Sequence, residues 1–535
     1  MLNTDADKVF VVGSGPSGVA AAHALLEQGV TVCMLDVGLT LEPERRQQVA
    51  DASTSGGAAE VLTLIEDGAF DLTGPTNFYR KLADGSDFAY RGANAFVASR
   101  SGLHEIHSSF ALGGLSNVWG AAVLPFSDDD IRDWPLDPGE LVPHYQAVQS
   151  FMHLAGTDDP LSGPFPFFAD PVRPFDLSSN AESFLTALNS RKEAMANGGI
   201  YTGRSRIAVG SGYPSDRGAS FLPDLFIGGV TNGATFNAAE VVDDLKRHPR
   251  FEYVSDVTVT GFEENADGVQ VFAGRGNDDK VQVFEGRRLF LAAGVLPTAR
   301  IVLSSLKAYE RAVPLKQSMH FIFPILHVFP GPSSPNDNAF SLAEIFIAFQ
   351  DTAETGYWSF LSIYRLSEFL LYRIRERYGP LAAGIRLLDK IPLFNQFVCQ
   401  GYLHSALSPD MTLVLEREAD GKEGKIRVTT RSHSEAKKTT RRLVRKFSRK
   451  VWRSGIFPIA AAIDANVPGR GNHVGGTFPM REQPSDLECD KLGRPNGLSR
   501  VHIVDASVLP SIPATTITFG VMANAYRIAK ASCTL

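Results

Sequence analysis

Cysteine is scarce. The 535 residues hold four, Cys33, Cys399, Cys489 and Cys533, far apart and never at C-x-x-C spacing. That spacing suggests neither a zinc nor an iron–sulfur centre, and it fits a protein of a reducing compartment. Positive charge is not in excess either: 52 Lys and Arg stand against 59 Asp and Glu, a net charge of −7. Nothing global therefore draws the chain to nucleic acid. No apolar run reaches the roughly 18 residues of a spanning helix. The opening MLNTDADKVF has no basic n-region followed by an apolar stretch, so a cytoplasmic protein is expected. Internal repeats and long low-complexity segments are missing. What remains is a composition of 44% apolar and 21% charged residues, ordinary for a globular protein. It is spread over a length that favours two domains.

Against that background one segment is specific. Val9 to Val12 reads as a buried strand, Gly13-Ser14-Gly15-Pro16-Ser17-Gly18 as a G-x-G-x-x-G turn, and Val19 to Gln28 as a helix. Val30 to Leu35 reads as a second strand, closed by Asp36. Gly13 permits the tight turn, Gly15 lets backbone approach a pyrophosphate, and Gly18 lets helix and strand pack closely. Behind Pro16 and Ser17 the helix N-terminus offers free N–H groups and a partial positive charge. Asp36 has the spacing of a carboxylate that holds a ribose hydroxyl. The pattern predicts dinucleotide binding; the alternative is a glycine-rich βα turn without a ligand.

Further along, residues 50–60 and 155–174 read as loops. Phe236 to Gly274 reads as a helix followed by strands, with Val257 to Phe262 alternating. Arg288 to Ala293 forms a short apolar strand ended by Gly294, and a helix follows from Pro297. Residues 311–435 are aromatic-rich and predict an antiparallel sheet with helices, before the chain returns to its first domain near residue 455.

The C-terminal third contains His473-Val474-Gly475-Gly476-Thr477 and Val504-Asp505-Ala506-Ser507. With the N-terminal turn, the loop ALGGLSNVWGAAV at 111–123 and the return strand at 288–303, these motifs resemble the glucose–methanol–choline (GMC) family of flavin-dependent oxidoreductases. The resemblance covers both ends of the chain and leaves the middle unassigned. It implies an α/β fold: a Rossmann-type FAD-binding domain plus an α+β substrate domain with an antiparallel sheet. The expected division is 1–150, 206–310 and 455–535 for the first, and 151–205 and 311–454 for the second. It implies non-covalent FAD, since the loop Ser116-Asn117-Val118-Trp119 holds no histidine, and His104 and His107 lie upstream. Cofactor contacts are expected from Gly13, Gly15, Pro16, Ser17, Gly18, Asp36, Gly113, Gly114, Ser116, Asn117, Val257, Ala293, Gly294, Asp505, Ala506, Thr516 and Ile517. For Asp505 the alternative is a helix cap, and for the 113–117 loop a tight turn without ligand contact.

The activity implied is oxidation of a CH–OH group, of a sugar or small natural-product alcohol, with hydride passing to flavin N5 and His473 as base. A neutral imidazole with a pKa near 6.5 can take the hydroxyl proton near neutral pH. Thr516 and Asn472 are candidate contacts to the substrate oxygen. Family members usually place a second His or Asn where Thr516 stands. Threonine can donate a hydrogen bond but cannot act as an acid or base like imidazole. His320 and His404 are the candidate replacements, and a non-standard reaction (decarboxylation, isomerisation or carbonyl reduction) is the alternative function. A cofactor-free binding protein is a third class, opposed by the intact glycines. Trp119 is expected beside the flavin or in packing. The electron acceptor is open.

Two surface segments complete the reading. Residues 358–377 suggest an amphipathic basic helix, preferred as a cover of the active site over a membrane-surface helix. Residues 437–453 carry nine basic residues with Leu443, Phe447 and Val451 at helical spacing. They read as a solvated face above a packed stripe, with attraction of an anionic substrate or lipid head group as the alternative.

Overall fold

The computed structural model describes residues 8–55, 83–84, 86–98, 106–210, 235–276, 278–328, 342–350, 355–366, 394–417, 423–430, 434–465, 469–470 and 473–533. Its centre is a five-stranded parallel sheet in the order Val501–Ile503, Arg288–Leu291, Val9–Val12, Val32–Leu35, Phe251–Val254. The Val9, Val32 and Val501 strands are buried throughout. They therefore read as unbroken apolar runs, as strands covered on both faces must. The helices Pro16–Glu27 and Thr518–Ser532 pack against each other beside this sheet. Val12 is in register with both Leu35 and Leu291. Gly13, Asp36 and Ala292 thus leave the sheet together at its carboxyl edge, where open α/β sheets bind ligands.

A six-stranded sheet runs in the order Ile456–Pro458, Met319–Val328, Phe394–Leu403, Trp358–Arg365, Ile345–Gln350, Ile200–Arg204, and every neighbouring pair is antiparallel. Strand alternation gives it two faces. Phe321, Phe323, Ile325, Leu361, Ile363 and Cys399 share a core with Leu443, Val444 and Phe447 of the helix Ser434–Val451. The intervening residues, His320, Ser362, Tyr364, Gln400 and Tyr402, turn the other way, into a cavity.

Three local readings are corrected. Trp358–Arg365 is a strand, not a helix: it is paired on both sides and buried on both faces, so its apolar residues follow no helical stripe. Residues 367–377 lie outside the described residues. Positions 50–55 belong to the helix Pro43–Ser55, which holds no glycine and has proline only at its first position, where a helix tolerates it. The strands Ala312–Gln317, Met411–Arg417 and Glu423–Thr430, assigned from sequence to the substrate segment, send Val313, Leu315, Leu413, Leu415 and Ile426 into the same core as the parallel sheet.

Candidate active site

One cavity of about 390 Å³ extends along the carboxyl edge of the parallel sheet and under the six-stranded sheet. At one end lie Gly13 to Ser17 and Asp36; at the other lie His473, Thr516, His320 and Tyr402. The turn is shaped by close contacts. A Cβ on Gly18 would stand 2.0 Å from the Gly13 carbonyl oxygen, so only glycine lets the helix start there. By contrast, a Cβ on Gly15 or Gly294 would meet nothing within 4 Å, because these two glycines face the cavity. The helix begins at Gly15 without a side-chain cap and without an acidic residue in its first turn. Its N–H groups and positive dipole end are available to an anion.

Asp36 is buried at the end of its strand. Its Oδ2 accepts from the Ser14 hydroxyl and, at 3.0 Å, from the Tyr253 hydroxyl. Burial raises its pKa from 3.8 to about 6, partly offset by these bonds. Ser14 in turn accepts from the Gly113 N–H at 2.9 Å, which ties the 111–118 loop to the glycine turn. Ser14 and Tyr253 were missed from sequence. Ser14 is a variable position of the motif, and nothing local marks Tyr253.

The four loop residues expected at the cofactor do not themselves line the cavity. Gly113, Gly114, Ser116 and Asn117 stand behind the cavity wall, which is formed instead by Ile106 to Ala111, Leu115 and Val118 to Ala122. Their polar atoms serve the loop. Asn117 Nδ2 donates to the carbonyls of Leu112 and Gly114, Ser116 Oγ donates to the Gly113 carbonyl, and Asn237 donates to Asn117 Oδ1. Trp119 lines the cavity and is held by an Nε1 bond to the Phe236 carbonyl at 3.0 Å. His107 also lines it, edge-on to Tyr90; His104 lies outside the described residues.

Val257, Ala293, Gly294, Asp505, Ala506, Thr516 and Ile517 all line the cavity. Asp505 is also a latch. Its Oδ2 accepts from the Gly294 N–H at 2.9 Å and Thr298 Oγ1 at 2.5 Å, and its Oδ1 accepts from the Ser507 N–H at 2.9 Å. Full burial raises its pKa despite those bonds. The carboxylate thereby joins the return strand to the C-terminal segment, as well as capping the short helix Ala506–Val508.

His473 precedes the two-residue strand Val474–Gly475, which pairs with Ala312–Gln317. Its carbonyl accepts from the Ser318 N–H at 2.9 Å. A Cβ on Gly475 would stand 2.2 Å from the Ala506 carbonyl oxygen, so glycine lets this strand close onto the 505–508 segment. The His473 ring stacks on Tyr402 at 4.8 Å between centroids, and Tyr402 contacts the His320 ring at 4.9 Å. His320 Nδ1 accepts from Arg470 Nε at 3.0 Å. The buried Arg470 is itself paired with Asp464, through Nη1 at 2.8 Å and through Nη2 to the Asp464 carbonyl at 3.0 Å. A guanidinium only donates, so Nδ1 of His320 is unprotonated and the neutral ring carries its hydrogen on Nε2. Arg470 and Tyr402 carried no motif that sequence could reveal.

Thr516 Oγ1 accepts from the Leu124 N–H at 3.1 Å and keeps its own hydrogen to donate. Asn472 lies outside the described residues. His404 is removed as a candidate. Its ring stacks flat on Tyr357 at 4.0 Å, its Nδ1 accepts from the Ala406 N–H at 3.1 Å, and burial lowers its pKa to about 4. It caps a short helix, away from the cavity.

The open glycines, the uncapped helix start and the buried carboxylate fit an adenine dinucleotide. Parallel sheet, glycine turn and uncapped helix start together define a dinucleotide-binding fold. Residues 6–54 match the family model described as an FAD binding domain, and residues 414–525 match that described as GMC oxidoreductase. The crystal structure of pyridoxine 4-oxidase from Mesorbium loti is similar in fold, with a TM-score of 0.58 at 15% identity over 99% of each chain. No curated protein matches the sequence. The N-terminal segment thus matches FAD binding domains, and the C-terminal segment matches GMC oxidoreductases, FAD-dependent enzymes acting on CH–OH donors.

Proposed function

We propose that the chain oxidises a small alcohol, with His473 taking the hydroxyl proton and His320 holding the same oxygen. The observation that carries this is the placement of the His473 imidazole in the cavity that begins at the glycine turn. FAD, when bound, supplies the acceptor for the hydride. Gly13 to Ser17 would hold its pyrophosphate, and Asp36 would accept from its ribose.

The protein's own part is proton management and positioning. The ring of His473 takes the hydroxyl proton, and Tyr402 fixes the plane of that ring by stacking. The Nε2 hydrogen of His320 donates to the substrate oxygen. Arg470 sets the tautomer of His320 and opposes a second positive charge on it. Thr516 adds a hydroxyl donor. The phenol rings of buried Tyr364 and half-buried Tyr402 line this end with Trp119 and reduce the water around the reacting carbon.

A small alcohol as substrate agrees with the name of the structurally similar pyridoxine 4-oxidase, but the identity of this chain's alcohol rests on its own cavity. An anaerobic screen of sugars and small alcohols against the yellow protein tests the reading. The expected result is flavin bleaching by at least one alcohol, and loss of that bleaching in His473→Ala with FAD retained. Undiminished bleaching in the variant removes His473 as base. An enzyme that no alcohol reduces favours the non-standard reaction.

A further inference from the structure

We propose that the outer end of the six-stranded sheet docks on an anionic lipid bilayer, through a basic helix and an apolar corner directly after it. The helix Ser434–Val451 buries Ala436, Leu443, Val444, Phe447 and Val451 against the sheet. Between residues 434 and 453 it carries nine Lys and Arg and one acid, Glu435, in a chain whose net charge is −7. Lys438, Arg441, Arg442, Arg445, Arg449 and Arg453 are exposed. Such a concentration of one sign on an acidic protein is a local field, not a general property of its surface.

The apolar corner at the end of the helix gives that field a partner. Among the described residues, five large hydrophobic side chains are exposed, and three of them meet here: Trp452 (53%), Phe457 (42%) and Val328 (39%). Trp452 lies in the short turn Trp452–Ser454 that ends the helix. Phe457 lies on the edge strand Ile456–Pro458, and Val328 ends the strand paired with it, its N–H donating to the Gly455 carbonyl at 2.8 Å. Val328 lies on the face of Met319–Val328 opposite the one that the helix covers, so the helix and Val328 come together only around the open edge of the sheet. Ile322, Pro324 and Leu326 are half-buried or exposed, where a solvated sheet face would hold polar residues.

A nucleic acid duplex would use the cations but has no need of the exposed Trp452 and Phe457 at the end of the helix. A bilayer uses both: its anionic head groups meet the arginines, and its interface accepts Trp452 and Phe457. No helix of the described residues is long and apolar enough to cross a membrane, so the contact would be with the surface.

The test is flotation of the FAD-loaded protein with vesicles of phosphatidylcholine alone or of phosphatidylcholine with phosphatidylglycerol. The expected result is binding only to the anionic vesicles, weakening at least about tenfold between low salt and about 0.15 M salt. Trp452→Ala with Phe457→Ala, and separately Arg441→Glu with Arg445→Glu and Arg449→Glu, should each reduce binding about tenfold or more. Both sets should leave flavin content and the melting temperature unchanged. Failure to float with anionic vesicles at low salt overturns the proposal. So does binding that depends on the arginines alone and is matched by a short DNA duplex, because that marks a general polyanion patch.

Discussion

Replacing Asp36 by Asn should separate cofactor binding from folding. The carboxylate is buried, and burial raises its pKa from 3.8 to about 6. A displacement of that size corresponds to about 3 kcal/mol against the charged form in the folded protein. By linkage, a raised folded pKa means that this group's contribution to stability is complete below about pH 4 and is lost as pH rises through about 6. At neutral pH the apoprotein therefore carries a buried charge that only Ser14 and Tyr253 relieve. The ribose hydroxyls of FAD are donors, and a charged acceptor is worth about 1.5–3 kcal/mol to such a bond. Asp36→Asn should thus weaken FAD binding about tenfold to a hundredfold while the melting temperature of the apoprotein at neutral pH does not fall. In the wild type, FAD affinity should drop as pH falls through about 6, and in the variant that dependence should disappear. Titration of the apoprotein with FAD, followed by fluorescence quenching across pH, measures both. Unchanged FAD affinity in the variant, or a wild-type affinity that is flat across that range, would refute the reasoning.

The same geometry sets other expectations. Gly15→Ala should leave the apoprotein folded but colourless, because its methyl projects into the cavity. Gly18→Ala should lose folding as well, because its methyl meets the Gly13 carbonyl; circular dichroism and flavin absorbance separate the two. Thr298→Val removes one donor from buried Asp505 and should cost about 1–3 kcal/mol in denaturant unfolding. Arg470→Met leaves Asp464 without its guanidinium and should destabilise by about 3–5 kcal/mol. His320→Phe should lower kcat for the alcohol with little change in flavin content, and an unaltered kcat would remove His320 as the oxygen donor.

Much of the cofactor end was legible because local chemistry dictates it. A parallel strand buried on both faces must be apolar, a helix start facing phosphate must be glycine, and both show in the run from Val9 to Asp36. The return strand to Gly294 and the 504–507 motif were readable for the same reason. The substrate end was not. Tyr402, Arg470 and His320 converge through strand register and a long connection, and no spacing in the sequence records which face of a strand meets a cavity. His404 and His320 look alike in sequence; only the register and the stack on Tyr357 separate them. Trp358–Arg365 misled because a strand buried on both faces shows no period of two. The 113–117 loop, expected at the cofactor, packs beside the glycine turn with its polar groups turned inward to Asn237 and Ser14, which pattern alone does not reveal.

The central claim is that a single cavity carries FAD from Asp36, past the glycine turn, to His473. A crystal structure of the FAD-loaded protein tests it most directly. The expected result is the pyrophosphate on Gly13 to Ser17, the adenosine ribose on Asp36, and the flavin ring beside His473 and Thr516. A flavin ring bound away from the His473 imidazole, with that imidazole facing protein alone, would contradict the account.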